Sequence, residues 1–273
     1  MEILNVVGFE GVSDPVKTEQ VLFEQLTYYA PTIETNYVYV VMPLANLINK
    51  TGIQNTQKII NSICASNQDK KLFFICQHIQ VDKLNFHGRL VFTPHATILD
   101  PYVPLPHYSC NYDETYSKPW EQRQYTFSFM GSFVTHPVRR RIYSALKGRP
   151  DCLVVDTGRW HFEAKPDKQE ANRKAYVQLL GNTKFSLCPR GTGPSSIRIW
   201  ESMAMGASPL IVSDLLKMPL ERTTKSSTWT KVPENFATSA LDSIAATSQK
   251  YNNTEYLEKF GNENLYKSVV SEL

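Results

Sequence analysis

The sequence predicts an α/β protein of two lobes, each built around a parallel sheet. In both halves of the chain, short apolar runs rich in β-branched and aromatic residues alternate with helical stretches, the pattern of βαβ units. Between the halves, from Pro101 to Trp120, the alternation gives way to prolines, tyrosines and polar residues (PYVPLPHYSCNYDETYSKPW), as in a linker or a long surface loop. With 273 residues, 42% hydrophobic and 20% charged, the chain has enough apolar material for two cores.

The first strand is expected over Ile3 to Val7, followed by Gly8-Phe9-Glu10-Gly11 and a helix starting near Asp14-Pro15, with the Asp as cap and the Pro in the first turn. Tyr37 to Met42 and Leu72 to Cys76 read as further strands, separated by a helix around Thr56 to Ala65. In the second half, Tyr125 to Met130 is strand-like and ends at Gly131-Ser132, before a helix containing Val138 to Leu146. Cys152 to Asp156 is another strand. Lys168 to Leu180 has helical periodicity, with Gly181 placed to cap its end. Lys184 to Cys188, a helix from Ser196 or Ile197 to Gly206, and Pro209 to Val212 complete the alternation. The expected division is residues 1–118 for the first lobe, 119–238 for the second, and 239–273 for a helical tail packing back across both. A ligand cleft is expected between the lobes, at the carboxyl ends of the strands.

The formal charge of +3 comes from nearly balanced acids and bases, so no nucleic-acid or anionic-membrane partner is implied. Arg139, Arg140 and Arg141 form the one basic cluster. Five cysteines lie far apart, form no CxxC pair and leave one over in any disulfide scheme, so reduced thiols are expected. The opening MEILNVVGFEGVSD carries acids where a signal peptide carries bases, and its apolar run is too short to span a bilayer. A soluble, cytoplasmic chain is expected.

The chemistry concentrates in CPRGTGPSSIRIWESMAMGASPLIVSD, Cys188 to Asp214. This is a strand, a turn-rich loop, a helix and a strand, with small residues where the helix begins. Free N–H groups there attract phosphate, Ser195 and Ser196 add hydroxyl donors, and Arg190 at the strand end can grip phosphate oxygens bidentately. Arg198 and Glu201, three apart, share a helix face. Glu201 could accept both hydrogen bonds of a ribose diol; an ordinary surface salt bridge with Arg198 explains the spacing equally well. The Walker pattern GxxxxGK[ST] is absent, which argues against a P-loop ATPase or kinase. Gly191, Gly193 and Ser196 give G-x-G-x-x-S, and Asp214 ends the next strand, so an NAD(P)-dependent dehydrogenase stays open as an alternative. Pro194 in the loop and Ser in place of the third Gly count against it.

The run KFSLCPRGTGPSSIRIWESMAMGASPLIVSD resembles the signature of the exostosin-like glycosyltransferases, glycosyltransferase family 47. Upstream, RQYTFSFMGSFVTHPVRRRIYSAL and Asp100-Pro101-Tyr102-Val103-Pro104 are similar to family features, and downstream so are Pro219, Trp229 and Glu234. The resemblance covers roughly Asp100 to Phe236. It implies a GT-B architecture of two facing Rossmann-like lobes, with the acceptor on the first and the nucleotide sugar on the second. It further implies an inverting, UDP-sugar-dependent transfer to a glycan hydroxyl, with xylose as the first candidate. Arg190, Gly191, Ser195, Ser196 and Arg198 would hold the diphosphate and Glu201 the ribose, with Gly131 and Ser132 closing over the donor. Typical members are longer and begin with a Golgi anchor. The compact, anchorless form resembles those encoded by large algal DNA viruses.

No Asp-x-Asp pair occurs, so arginines and a helix terminus would carry the diphosphate charge and no metal or other cofactor is expected. The proton-accepting base is expected on the first lobe: Glu10, Asp14 or His78. Each also has a structural reading: a solvated loop acid, a helix cap and a hydrogen-bonded core histidine. His87, His95 and His107 share no zinc-ligand spacing and are assigned no metal. Tyr102, Tyr108, Tyr112, Tyr116 and Trp120 could offer an acceptor platform, or simply pack. A non-catalytic sugar-binding module is the remaining alternative.

Overall fold

The computed structural model describes residues 1–9, 16–158, 166–219, 229–247 and 254–273. The chain divides into two compact units. Unit 1 comprises Met1–Tyr108, Leu215–Pro219 and Lys259–Leu273; unit 2 comprises Ser109–Asp214 and Leu220–Glu258.

Unit 1 contains β1 (Glu2–Asn5), α1 (Thr18–Tyr29), β2 (Tyr37–Val41), α2 (Leu44–Ser66), β3 (Lys71–Ile75), β4 (Leu90–Thr93) and β5 (Val103–Pro104). All five strands are parallel and lie in sequence order. Period-two alternation sends neighbouring side chains to opposite faces. Val38, Val40, Leu72 and Phe74 pack with Ile48, Ile60 and Ile63 of α2. Tyr39, Val41, Phe73 and Ile75 pack with Leu22 and Leu26 of α1 and with Leu265 and Val269 from near the C-terminus. Both faces are thus covered, and each of these side chains contributes about 1.5–3 kcal/mol by burial.

α2 begins twelve residues before the expected Thr56 and keeps one non-helical residue, Gly52 at φ 81°. The expected linker is in part a strand: β5 pairs Val103 with Phe92 and Pro104 with Thr93. Two-residue β5 is too short to show as alternation.

Unit 2 contains β6 (Tyr125–Gly131), α3 (Pro137–Leu146), β7 (Cys152–Asp156), α4 (Pro166–Gly181), β8 (Thr183–Pro189), α5 (Arg198–Ala204), β9 (Ser208–Val212), β10 (Thr230–Val232) and α6 (Thr238–Thr247). Its five-stranded parallel sheet has the order β10-β9-β8-β6-β7. Phe127, Phe129, Phe185, Leu187 and Leu210 pack with Val138, Ile142 and Leu146 of α3. The opposite face of β6 and β8 carries buried hydroxyls: Thr183 Oγ1 donates to Ser128 Oγ at 2.8 Å and Ser202 Oγ to Ser186 Oγ at 2.7 Å. Small side chains there let α5 lie close to the sheet. α7 (Thr254–Phe260) and α8 (Leu265–Val270) give the chain's last stretch the helices expected of it.

Gly181 does not cap α4 with a left-handed turn; its φ is not positive. A Cβ there would stand 2.1 Å from the carbonyl oxygen of Tyr116, so the glycine admits a crossing backbone instead. The linker aromatics pack: Tyr102 and Tyr108 into the unit 1 cores, Tyr112 and Tyr116 beside α4, and Trp120 against Phe185 with ring centroids 5.4 Å apart. All five cysteines are free thiols, and Cys64, Cys76 and Cys188 are buried.

Candidate functional site

In a parallel sheet every strand ends at the same edge, and the loops gathered there form the site. In unit 2 that edge is made by β6, β8 and β9. Pro189, the last residue of β8, pairs with Val212, the last of β9. The following Arg190 N–H donates to the Val212 carbonyl at 3.0 Å, which starts the Pro-Arg-Gly turn.

Two guanidiniums converge behind this turn. Arg198, opening α5, lies over the rings of Phe129 (4.7 Å) and Tyr176 (4.8 Å) and donates to the Met130 carbonyl. Arg139, from α3, lies 5.4 Å from the Phe129 centroid. It donates to the carbonyls of Ser132 (2.8 Å), Arg190 (3.0 Å) and Pro189 (3.4 Å). One side chain thereby fastens the end of β6 to the end of β8. Among the described residues, neither guanidinium forms an ion pair. Burial, and the nearby charge of Arg198, push the Arg139 pKa down to about 10, so it remains charged at neutral pH.

Glycine leaves room where these cations approach the backbone. A Cβ on Gly131 would meet an Arg198 nitrogen at 3.0 Å, and one on Gly191 an Arg139 nitrogen at the same distance. Ser132 follows β6 with its hydroxyl buried and without a hydrogen-bond partner. A buried polar atom left unpaired costs about 1–3 kcal/mol, which a ligand oxygen would recover. Ser195 is buried and Ser196 half-buried beside the glycine loop. α5 has only seven residues, so its dipole is weak and the guanidiniums are the principal positive groups here.

Arg190 points elsewhere. Its guanidinium stands 3.6 Å from Glu234, which also lies 3.8 Å from His136 Nε2. Glu234 and Asp214 hold each other reciprocally: Asp214 N–H donates to Glu234 Oε1 at 3.2 Å, and Glu234 N–H to Asp214 Oδ1 at 2.9 Å.

Glu201 is neither a surface residue nor a salt-bridge partner of Arg198. It is 3% exposed. Its Oε1 accepts from the Asn111 N–H (3.0 Å) and Asn111 Nδ2 (2.7 Å), and its Oε2 from the Tyr176 hydroxyl (2.7 Å). Burial raises its pKa, against the lowering effect of those bonds and of Arg198.

At the corresponding edge of unit 1, Glu19 near the start of α1 accepts from the backbone N–H groups of Gln77 (2.7 Å) and Ala45 (3.1 Å). Gln77 Oε1 accepts in return from the Glu19 N–H at 2.9 Å. His78 fastens its own loop: Nδ1 accepts from the Gln80 N–H at 3.1 Å and Nε2 meets Asn49 Oδ1 at 3.2 Å, so both ring nitrogens are taken. Glu10 and Asp14 lie outside the described residues. After β4 and β5 come His95 and His107, both buried, with ring centroids 5.3 Å apart and nearly perpendicular planes.

Of the expected donor residues, Gly131, Ser132, Gly191 and Arg198 gather with Arg139, whereas Arg190 is turned to Glu234 and Glu201 is enclosed. The basic cluster was visible in the sequence, but nothing local picks Arg139 from its neighbours. Asn111 and Tyr176 carry no signal at all, because each meets Glu201 only through the fold.

Two Rossmann-like α/β units of this kind are the makeup of GT-B glycosyltransferases, the fold class that the sequence predicts. The family described as Exostosin GT47 domain matches residues 65–245, and the chain belongs to that family. Exostosin-1 homolog of Caenorhabditis elegans is 27% identical over 172 residues, 56% of this chain and 45% of the worm protein. Ribitol-5-phosphate xylosyltransferase 1 of Danio rerio is 27% identical over 99 residues, 35% of this chain and 22% of the fish protein. The matches thus span less than half the length of these relatives. Among solved structures, an α1,3-fucosyltransferase matches with a TM-score of 0.46 at 15% identity, covering 98% of this chain and 81% of that one. Among the described residues no helix is long and apolar enough to cross a membrane.

Proposed function

We propose that the chain is an inverting glycosyltransferase that moves a sugar from a UDP-sugar to a hydroxyl of a glycan acceptor. The observation that carries this reading is the pair of guanidiniums, Arg139 and Arg198, stacked on Phe129 and without an ion pair among the described residues, beside the buried Ser132 hydroxyl that has no hydrogen-bond partner among them. Two half-buried cations this close to each other repel, and a diphosphate supplies the negative charge that relieves them. Membership of the exostosin GT47 family supports the transferase class.

On this reading the diphosphate lies over Gly131, Gly191 and Ser195, and Ser132 and Ser196 donate hydroxyl hydrogen bonds. Arg190 joins it by leaving Glu234, and a ribose hydroxyl takes Glu201 Oε1 by displacing the Asn111 side-chain amide, while the Asn111 backbone N–H keeps its bond. The arginines stabilise the charge that develops as UDP departs, without a metal ion. The base that receives the acceptor proton belongs to unit 1. Xylose is the first sugar to try, on the strength of the xylosyltransferase among the relatives.

Thermal-shift measurements with UDP, UDP-sugars and NAD test the donor class, because a ligand that binds only the folded chain raises its melting point. UDP and at least one UDP-sugar are expected to stabilise and NAD is not; stabilisation by NAD alone overturns the reading in favour of a dehydrogenase. A panel of UDP-sugars scored for hydrolysis then names the sugar. Binding without turnover of any of them would make the chain a sugar-nucleotide-binding module.

A further inference from the structure

His136, Arg190, Asp214 and Glu234 each follow a strand of the unit 2 sheet, β6, β8, β9 and β10 in turn, and so stand at its carboxyl edge. His136 caps α3: its Nδ1 accepts from the Val138 N–H at 3.3 Å. A ring nitrogen that accepts carries the lone pair, so in the neutral imidazole the proton sits on Nε2. Burial lowers the pKa of the ring, with Arg190 and Arg139 adding and Glu234 opposing, which favours the neutral form at neutral pH. Nε2–H is thus a donor of fixed direction.

That donor faces Glu234 Oε2 from 3.8 Å, and the Arg190 guanidinium faces Oε1 of the same carboxylate from 3.6 Å. Both separations exceed a hydrogen bond. Arg190 has two long bonds besides, at 3.4 Å, to the Gly191 and Thr192 carbonyls of its own loop. Glu234 therefore offsets the charge of Arg190 without satisfying either donor. What tethers Glu234 is its reciprocal pair of bonds with Asp214, at 3.2 and 2.9 Å. The side chains of His136, Arg190 and Glu234 are 26%, 19% and 19% exposed, so a ligand can reach all three.

The cluster extends the row of cations described above. Arg198 and Arg139 share the ring of Phe129, and Arg139 donates to the Arg190 carbonyl at 3.0 Å. A nucleotide whose ribose lies at Glu201, one turn along α5 from Arg198, has its diphosphate directed past Arg198 and Arg139 to Arg190 and His136.

Resting on the UDP-sugar reading above, we propose that His136 is a substrate-binding residue: its Nε2–H and the Arg190 guanidinium hold the β-phosphate, and Glu234 is the resident carboxylate that this phosphate displaces. A phosphate carries more charge than a carboxylate and more oxygens, so it can close the two donor distances that Glu234 leaves open. The clamp tightens as the sugar leaves, because the electron pair of the breaking anomeric bond passes to a β-phosphate oxygen.

Calorimetry on the parent chain, His136→Ser and Glu234→Gln, each with UDP, UMP and inorganic pyrophosphate, tests the proposal. Ser can keep the α3 cap and Gln the acceptor for the Asp214 N–H, so both variants spare the local structure. His136→Ser is expected to bind UDP and pyrophosphate about tenfold more weakly, and UMP, which lacks the β-phosphate, within twofold of the parent. Glu234→Gln is expected to bind UDP about fivefold more tightly, again with UMP unchanged. UDP affinity within twofold of the parent in His136→Ser, an equal loss of UDP and UMP there, or no gain in Glu234→Gln overturns the proposal and leaves the donor reading standing. A parent that binds none of the three ligands overturns the donor reading and the clamp with it. Pyrophosphate binding without UDP binding overturns the uridine reading alone, and the pyrophosphate arm then judges the clamp. Should His136→Ser fail to fold, Glu234→Gln decides by the same criterion.

Discussion

Asn111 gives both of its nearby donors, the backbone N–H and the side-chain amide, to one oxygen of Glu201, at 3.0 and 2.7 Å. A carboxylate buried this deeply needs such partners. Asn111→Ala removes one of them and is expected to destabilise unit 2 by about 1–3 kcal/mol, read as a lower urea midpoint. If the ribose replaces that amide, the variant spares the ligand the cost of displacing it, and UDP binds about fivefold tighter by calorimetry. A weaker or unchanged UDP affinity would mean that Glu201 is a structural anchor and that the ribose is held elsewhere.

Arg139 fastens β6 to β8 through three carbonyls, a fork that Lys cannot reproduce. Arg139→Lys is therefore expected to keep the charge and still raise the donor KM by about tenfold, with Arg139→Ala worse by a further factor of about ten. Gly191→Ala should act through the same side chain, since its Cβ would press an Arg139 nitrogen from 3.0 Å. Combining Gly191→Ala with Arg139→Ala should then cost less than the sum of the two, which a double-mutant cycle on UDP affinity measures.

Most strands and helices of both units were legible because apolar alternation and small-residue breaks are local signals, although Leu90–Thr93, β4, was not read as a strand. Cys152–Asp156 was found to the residue, and Tyr125–Gly131 and Thr183–Pro189 within one residue at each end. What escaped was set at long range. The two-residue β5 exists only because Phe92 and Thr93 offer it an edge. Gly131 and Gly191 could be read as donor-loop glycines, but not as the openings through which Arg198 and Arg139 reach the backbone. His95 and His107 share no metal-ligand spacing in the sequence, and their rings meet, 5.3 Å apart, only through the fold.

The buried imidazoles give stability a definite pH dependence. Burial pushes the His95 pKa from 6.5 down to about 4, and burial, with His95 adding, pushes His107 well down also. As pH falls below about 6.5 the unfolded chain takes up protons that the folded chain refuses until about pH 4, so stability falls with pH across that window. His95 alone accounts for about 3 kcal/mol of the loss. Urea unfolding at pH 7.5 and pH 5 should differ accordingly, and His107→Phe, which keeps a ring but no titrating nitrogen, should reduce the difference. Equal midpoints at the two pH values would mean that the rings are solvated.

On the proposed function Arg139 and Arg198 carry the charge of the departing diphosphate, which has a direct consequence for metal dependence. Transferases that hold the diphosphate through a divalent ion lose activity when the ion is removed, whereas guanidiniums are indifferent to chelators. Turnover of the UDP-sugar is expected to persist in excess EDTA at more than about half its rate, and Arg198→Ala to lower kcat by about 100–1,000-fold with or without added manganese. The two arms separate two sources of the same stabilisation. If EDTA abolished turnover and manganese restored it, the ion would be carrying the charge, and the arginines stacked on Phe129 would be left with the task of shaping the turn.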